Sequence, residues 1–300
     1  MPRHLKLCRS STSPSGWACI AEFALLMGSR TASKGFFSIS GMVSVFKKWF
    51  VRKAAAPTYS VPQGERVYAV GDIHGRLDLF ERLISQIESD DAAREGAKTT
   101  IILLGDLVDR GPESSGVVDA AIKLSGRRQV RTLCGNHEEM FLKSLESDAL
   151  MREFLRRGGR ETVLSYLRDT EEYNQLSFEE VRQRLLAVLP IDHLDFLRSL
   201  EDKVVMGDYL FVHAGVRPGI GLEDQTAADM RWIREPFLSS DLPSKYCVVH
   251  GHTITSEPTE KMGRIGIDTG AYQSGRLTAL GLEGDGRWFL TSSQSDTGGF

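Results

Sequence analysis

The 300-residue sequence contains only four cysteines, Cys8, Cys19, Cys134 and Cys247. None of them forms a CxxC pair, which argues against a zinc ribbon or a thioredoxin-like redox site. A disulfide framework is typical of much shorter secreted chains and is not expected here. Reduced thiols are typical of the cytoplasm, so the cysteine pattern predicts a cytoplasmic protein.

The chain also lacks a long apolar run. Residues 17–27 are the best candidate, but they number only 11 and include Glu22, whereas a spanning helix needs about 20. Arg3 and Lys6 precede this run, yet no small-residue cleavage site follows it, so the pattern matches a signal peptide poorly. We therefore expect neither a transmembrane segment nor a secretory leader.

Net positive charge is absent beyond the first 65 residues. Residues 1–65 carry nine Lys and Arg against two Glu, a net charge of +7, so the overall charge of −3 leaves −10 for residues 66–300. Binding to duplex nucleic acid uses many Lys and Arg, and we do not expect it of this acidic part. Residues 1–65 are rich in Ser, Gly and Ala and predict a basic, disordered tail, with either Met1 or Met42 as the start of translation.

The hydrophobic patterning of residues 66–300 is typical of an α/β domain. Residues 66–70, 99–104 and 130–133 predict buried strands, and residues 77–87 have the apolar spacing of a helix. Residues 139–200 have helical patterning and predict a helical insertion. Further strands are predicted at residues 209–212, 247–249, 265–268, 278–282 and 288–291. Because little helix separates these late strands, part of a sheet should be antiparallel.

Residues that can bind a metal follow five of the predicted strands. They are Asp72, His74, Asp106, Asp109, Asn136, His137, His213, His250 and His252. Ligands of open α/β sheets bind beyond the carboxyl ends of the strands, and five of the seven histidines fall there. Carboxylate, imidazole and amide ligands without thiolate suit Mn, Fe or Zn, and one aspartate can bridge two ions about 3.5–4 Å apart. We therefore expect two divalent metal ions, Mn²⁺ first, with Fe or Zn as alternatives.

Five motifs occur in a fixed order: GDIHG at residues 71–75, GDLVDRG at 105–111, GNHE at 135–138, VHAG at 212–215 and GHT at 251–253. Together they resemble the calcineurin-like metallophosphoesterases, and GDLVDRG and GNHE are most similar to the phosphoprotein phosphatase branch. RWIR at 231–234 and IDTGA at 267–271 are similar to the bacterial and bacteriophage lambda type of serine/threonine protein phosphatase. The resemblance covers residues 66–283 and implies an α/β fold, a metallophosphoesterase-type β-sandwich of mixed sheets flanked by helices.

The resemblance also implies roles for individual residues. Two metal ions would be held by six ligands, Asp72, His74, Asp106, Asn136, His213 and His252. Asp72, His74 and Asp106 would hold the first ion, and Asp106 would bridge to the second.

His137 would be the general acid, with Asp109 orienting its ring, and Arg110 and Arg234 would clamp the phosphate. Arg231, three residues before Arg234, is the alternative clamp. For His250, which lies two residues before His252, we favour a supporting or structural role over a ligand role.

The implied function is hydrolysis of phosphate monoesters by direct attack of a metal-bridging hydroxide. The expected substrate is a phosphorylated protein or a small phosphoester, as for a serine/threonine protein phosphatase. A symmetrical dinucleoside tetraphosphatase is the alternative enzyme with the same metals. A binding module with a decayed active site is the alternative of another class, and the complete set of motif residues argues against it.

Overall fold

The computed structural model of the protein describes residues 58–240 and 245–294. Residues 1–57 of the tail predicted for residues 1–65 therefore lie outside the described residues. No helix within the described ranges is long and apolar enough to cross a membrane.

Ten strands form two five-stranded mixed sheets in the described part of the chain. They are β1 (Glu65–Val70), β2 (Lys98–Leu103), β3 (Gln129–Thr132), β4 (Lys203–Met206), β5 (Tyr209–Val212), β6 (Cys247–His250), β7 (Thr259–Lys261), β8 (Arg264–Gly266), β9 (Arg276–Glu283) and β10 (Gly286–Ser293). The first sheet has the order β10-β9-β1-β2-β3 and the second β4-β5-β6-β8-β7. Strands β1, β2 and β3 are mutually parallel, as are β5, β6 and β8, while the other pairs are antiparallel. The predicted antiparallel part is thus confirmed.

Helices connect the strands and cover the first sheet. They are α1 (Leu77–Ala93), α2 (Ser114–Ser125), α3 (Asn136–Ser144), α4 (Asp148–Phe154), α5 (Arg160–Leu167), α6 (Thr170–Gln175), α7 (Phe178–Val188), α8 (Ile191–Arg198), α9 (Ala227–Trp232) and α10 (Ala271–Ser274). A π-helical turn, Leu155–Gly159, joins α4 to α5, and a 3₁₀ turn spans Leu222–Asp224. Helices α3 to α8 lie where the sequence predicts the helical insertion.

Alternating side chains of the strands build the layers of the fold. In β1, Val67 and Ala69 are buried in a cluster that also contains Phe211 and Val249 of the second sheet. Tyr68, between them, is buried on the opposite face, against the helices. Successive side chains of a strand point to opposite faces, so the first sheet packs on the second through one face and on helices through the other. The expected β-sandwich of mixed sheets flanked by helices is confirmed.

The core begins before residue 66. Tyr59 and Val61, which the sequence assigns to the tail, are buried in the cluster between the sheets. The Tyr59 ring packs against that of Tyr209 at 6.2 Å between centroids, and the Val61 N–H donates to Gly284 O at 2.9 Å. The separation of a tail from a catalytic domain stays a prediction, but these contacts place its boundary before Tyr59.

Candidate metal centre

The polar loops after the parallel strands of both sheets meet at one edge of the sandwich. Asp72 and His74 follow β1, Asp106 follows β2, and His213 and His252 follow β5 and β6. The last predicted ligand, Asn136, begins α3 directly after β3. All of these residues are buried, although they are polar and come from separate parts of the chain.

Asp106 lies at the centre of this group. Its Oδ2 is 3.5 Å from His74 Nε2, 3.4 Å from His213 Nε2 and 4.0 Å from His137 Nε2. Burial alone would raise the pKa of Asp106, but the His213 and His137 imidazoles hold it well below its usual range. The carboxylate is therefore ionised, as a metal ligand must be.

Backbone carbonyls fix the orientation of two imidazoles. His74 Nδ1 donates to Val108 O at 2.9 Å, and His213 Nδ1 donates to Leu104 O at 2.8 Å. Each bond turns Nε2 of its ring toward Asp106, which is how proteins orient metal-binding histidines. His213 Nε2 also lies 3.0 Å from the Asn136 side-chain oxygen.

Potential ligand atoms form two triplets within the described residues. One contains His74, Asp106 and His137, the other Asp106, His213 and His252, and within each the ligand atoms lie within 4.8 Å of one another. His252 Nε2 is buried without a hydrogen-bond partner among the described residues. A buried, unpaired ring nitrogen is costly unless a ligand completes it, so the donor set fits two divalent cations that share Asp106.

Asp72 belongs to neither triplet, although its carboxylate borders the group. It accepts the His252 N–H at 3.0 Å and 3.2 Å. Its pKa is raised above the usual range by burial and by the neighbouring Asp268 carboxylate. Asp268, which the sequence assigned no role, is also buried, and burial raises its pKa to about 6. Its place directly after β8 was the available signal.

Two glycines let the carboxylates approach the backbone. A Cβ on Gly135 would lie 2.1 Å from Asp106 Oδ1, and a Cβ on Gly251 would lie 2.0 Å from Asp72 Oδ1. Any side chain at these positions would collide with a candidate ligand. The two glycines are therefore part of the site.

Strained backbone is concentrated here. Six described residues other than glycine have positive φ, and five belong to the motifs: His74 (48°), Asp106 (50°), Asp109 (73°), Arg110 (69°) and His252 (61°). Such conformations cost of order 1–3 kcal/mol each and cluster at functional sites. The strain supports a functional role for the residues predicted from the motifs.

The buried Glu138 holds the loop that carries Asp106. Its carboxylate accepts the N–H groups of Asp106 (2.8 Å), Leu107 (2.7 Å), Val108 (3.3 Å) and Gly135 (2.9 Å). Burial and the nearby Asp106 raise the pKa of Glu138 to about 7. The sequence assigned it no role, although it stands in the GNHE motif.

His137 and Asp109 form a buried pair beside Asp106. The distance from His137 Nδ1 to Asp109 Oδ2 is 2.6 Å. Burial would lower the pKa of His137, but the Asp106 and Asp109 carboxylates outweigh it and raise the pKa. Burial in turn raises the pKa of Asp109. His137 Nε2 thus faces the site while Nδ1 is occupied, which suits a proton donor as well as a ligand.

Arg110 contacts one of the candidate metal ligands. Its Nη1 donates to His74 Nε2 at 2.9 Å, and its guanidinium lies 4.8 Å from the Tyr272 ring centroid. The Tyr272 ring also packs edge-on against His74 at 5.3 Å. Arg110 and Tyr272 line a cavity of about 730 Å³, and Arg110 is the only predicted site residue in its lining. Tyr272 was not predicted from the sequence.

The two arginines of the RWIR motif differ in their surroundings. Arg231 pairs with Asp202 at 2.6 Å and with Glu139 at 3.4 Å. Arg234 is exposed, and no described residue makes a hydrogen bond or ion pair with its side chain. The pKa of His252 is lowered to about 3, first by burial, then by His213 and also by Arg234. The positive charge of Arg234 therefore lies near the candidate metal ligands.

His250 is not brought into the metal group. Its Nδ1 donates to Gly251 O at 3.1 Å, and its ring packs edge-on against Phe237 at 5.0 Å. Burial lowers the pKa of His250 to about 4. These contacts are those of a buried supporting residue.

A two-sheet sandwich with histidine and carboxylate side chains clustered at its strand ends is suited to metal-dependent phosphoester hydrolysis. The family model described as calcineurin-like phosphoesterase matches residues 65–275, and the chain belongs to this family of metal-dependent hydrolases of phosphoric esters. The resemblance that the motifs predicted is confirmed.

Relatives with assigned activities have low sequence identity to this chain. The asymmetrical bis(5'-nucleosyl)-tetraphosphatase PrpE of Anoxybacillus flavithermus is 28% identical over 233 residues, covering 70% of this chain and 88% of that protein. The symmetrical bis(5'-nucleosyl)-tetraphosphatase of Delftia acidovorans is 30% identical over 157 residues, 51% of this chain and 45% of that protein. A solved structure of a candidate diadenosine tetraphosphatase covers 80% of this chain and 99% of its own, with a TM-score of 0.55 and 21% identity, which shows a shared fold.

Proposed function

We propose that the protein is a serine/threonine protein phosphatase that hydrolyses phosphate monoesters with two divalent cations, Mn²⁺ first and Fe or Zn as alternatives, in the cytoplasm. The observation that carries the proposal is the position of Asp106, whose single Oδ2 lies 3.4–4.0 Å from three imidazoles that follow three different strands. A carboxylate so placed is suited to bridge two cations.

Six residues would hold the two cations, Asp72, His74, Asp106, Asn136, His213 and His252. Bound there, the cations would lower the pKa of a water molecule and balance the charge of the phosphoryl group. The protein's own contribution is rigidity, since backbone carbonyls already fix His74 and His213.

Arg110 and Arg234 would bind the phosphoryl oxygens. Each guanidinium can donate two parallel hydrogen bonds, and donors placed where negative charge develops stabilise the transition state. Arg110 lies beside His74, and Arg234 is exposed, so its charge is available to a substrate. The pairing of Arg231 with Asp202 and Glu139 favours Arg234 as the second clamp.

His137 would supply the proton that the leaving oxygen needs. Its Nδ1–H is held by Asp109, so its Nε2–H can be donated, and Asp109 stabilises the positive ring before transfer. Proton donation matters most when the leaving group is a poor one, such as the alkoxide of serine or threonine. The buried acid pair therefore favours a phosphoprotein monoester.

A dinucleoside tetraphosphate is the second candidate substrate, because the relatives in Anoxybacillus and Delftia are named bis(5'-nucleosyl)-tetraphosphatases. The same ligands and arginines would serve, but the leaving group would be a nucleotide phosphate. Such a group needs less help from a proton donor.

A substrate panel separates the two candidates. The purified full chain with Mn²⁺ is offered a phosphoserine peptide, a phosphothreonine peptide and bis(5'-adenosyl) tetraphosphate, with Asp106→Asn as the inactive control. The proposal expects the highest kcat/KM for a phosphopeptide. A preference for the tetraphosphate would overturn the protein phosphatase proposal, and the nucleotides released would show whether cleavage is symmetrical.

A further inference from the structure

We propose that Thr162, in helix α5 of the helical insertion, is a positioning residue that holds the Asp109 carboxylate in the orientation in which it supports His137. Its effect on turnover rests on the proposed function, whereas its effect on the hydrogen bond between Asp109 and His137 does not. No motif contains Thr162, which is 53 residues from Asp109 in the sequence.

The Thr162 hydroxyl makes two bonds to one residue. It donates to Asp109 Oδ1 at 2.6 Å and accepts the Asp109 N–H at 2.8 Å. Ser114, at the start of α2, also accepts the Asp109 N–H, at 3.0 Å. All three side chains are fully buried, so water does not replace these bonds readily.

The two carboxylate oxygens of Asp109 are divided between two partners. Oδ1 accepts from Thr162, and Oδ2 accepts from His137 Nδ1 at 2.6 Å. Without the Thr162 hydroxyl, Oδ1 would be a buried acceptor with no partner among the described side chains, and an unpaired buried group is unfavourable. The carboxylate would then rotate, and the bond to His137 would lengthen or exchange between oxygens.

The backbone of Asp109 also needs this support. Asp109 and Arg110 both have positive φ, 73° and 69°, a conformation that persists only when the surroundings hold it. Thr162 fixes the N–H of Asp109, and Gly158 O accepts the N–H of Arg110 at 3.0 Å. Both contacts come from one short stretch of the insertion.

The approach of Gly158 to Arg110 is close. A Cβ on Gly158 would lie 2.9 Å from Arg110 Cγ, and Gly158 itself has a φ of 104°. Gly158 lies in the turn Leu155–Gly159 between α4 and α5, where its backbone is not helical and the chain is kinked. The turn and the first residues of α5 therefore hold both Asp109, which supports the acid, and Arg110, which would bind phosphate.

Ser165 provides a matched control on the same helix. Its hydroxyl accepts the Ser115 N–H at 3.0 Å and donates to Thr162 O at 2.7 Å. The first bond joins α5 to α2 and the second lies within α5, and neither involves Asp109. Loss of the Ser165 hydroxyl should therefore loosen the helix packing but leave the acid pair in place.

The test compares Thr162→Val, Thr162→Ser and Ser165→Ala with the wild type, all as full-length chains loaded with Zn²⁺ for proton NMR. The His137 Nδ1–H resonance should lie far downfield and is identified by its absence in His137→Asn. We expect it to shift or broaden in Thr162→Val and to persist in Thr162→Ser and Ser165→Ala. Thr162→Ala gives the same test if the valine variant does not fold.

Turnover is measured on the same proteins with Mn²⁺. In Thr162→Val, kcat for phenyl phosphate should fall by about tenfold to hundredfold, less than the contribution of about 10²–10⁴-fold from the general acid itself, and kcat for p-nitrophenyl phosphate should fall less. Thr162→Ser keeps the hydroxyl, so its kcat for both substrates should stay near that of the wild type. An unchanged His137 resonance in Thr162→Val, or an equal change in Ser165→Ala, would overturn the proposal. A wild type without phosphoesterase activity would instead refute the proposed function, while the resonance would still decide the role of Thr162.

Discussion

His137 Nδ1 lies 2.6 Å from Asp109 Oδ2, and both side chains are buried. Asp109 lies in the loop after β2 and His137 in the first turn of α3, after β3, so the tertiary fold and not local sequence brings them together. Nε2 of His137 is thereby left as the ring nitrogen that faces Asp106. This arrangement suits a proton donor beside the candidate metal centre, and that role can be separated experimentally from metal binding.

The role of His137 is tested by His137→Asn. If His137 is the acid and not a ligand, the variant should keep its two metals per chain while turnover of a phosphoserine peptide falls about 10²–10⁴-fold, the usual contribution of general acid catalysis. The loss should be smaller for p-nitrophenyl phosphate, whose leaving group needs less protonation. Metal analysis together with kinetics on both substrates checks this, and metal depletion would make His137 a ligand.

The close approach of Gly251 to Asp72 predicts the effect of one added methyl group. In Gly251→Ala the new Cβ would lie 2.0 Å from Asp72 Oδ1, so the carboxylate must move away from the site. We expect a loss of bound metal and of turnover with the fold preserved. Gly96→Ala is the matched control, because nothing lies within 4 Å of its added Cβ. Full metal content in Gly251→Ala would show that Asp72 is not a ligand.

The unequal surroundings of Arg231 and Arg234 predict opposite phenotypes. Arg234→Ala should lower kcat/KM by about tenfold or more, because a charged donor to the phosphate is lost, and should leave the melting temperature almost unchanged. Arg231→Ala should lower the melting temperature, since it removes the partner of Asp202 and Glu139. Thermal unfolding and kinetics on each variant measure both effects. An active Arg234→Ala beside an inactive, stably folded Arg231→Ala would exchange the two assignments.

The buried side chains of Tyr59 and Val61 define how much of the N-terminal stretch the domain needs. A chain that begins at Thr58 should keep its stability and its metal-dependent activity. A chain that begins at Pro62 loses both side chains, and burial of each contributes about 1.5–3 kcal/mol, so its urea midpoint should fall clearly. Equal stability of the two chains would show that these contacts do not contribute, and inactivity of the chain from Thr58 would show that residues 1–57 are required.

Strong hydrophobic patterns predicted most of the fold. The strand predicted at residues 209–212 coincides with β5, Tyr209–Val212, and the one at 66–70 lies within β1, Glu65–Val70. Strands β4 (Lys203–Met206) and β7 (Thr259–Lys261) were not predicted. Both are short edge strands with exposed residues, and an edge strand that is only partly buried has no continuous apolar run to identify it.

The sequence predicted the motif residues of the candidate site but not the residues that hold them in place. Asp106, His213 and His252 stand at strand ends, where position in the sequence indicates position in space. Thr162 and Tyr272 reach the site from a helical insertion and from α10, through contacts that only the tertiary structure defines. Spacing along the chain contains no signal for such contacts.

Above all, we propose that Asp106 and its neighbours bind the divalent metal that the chemistry requires. The most direct measurement is turnover of p-nitrophenyl phosphate by the full chain after chelation and again after addition of Mn²⁺, with metal content determined at each stage and Asp106→Asn treated in parallel. We expect that chelation abolishes turnover, that Mn²⁺ restores it with two metals per chain, and that Asp106→Asn neither holds two metals nor recovers. Undiminished turnover by the metal-free protein, or two metals and near-normal rates in Asp106→Asn, would contradict it.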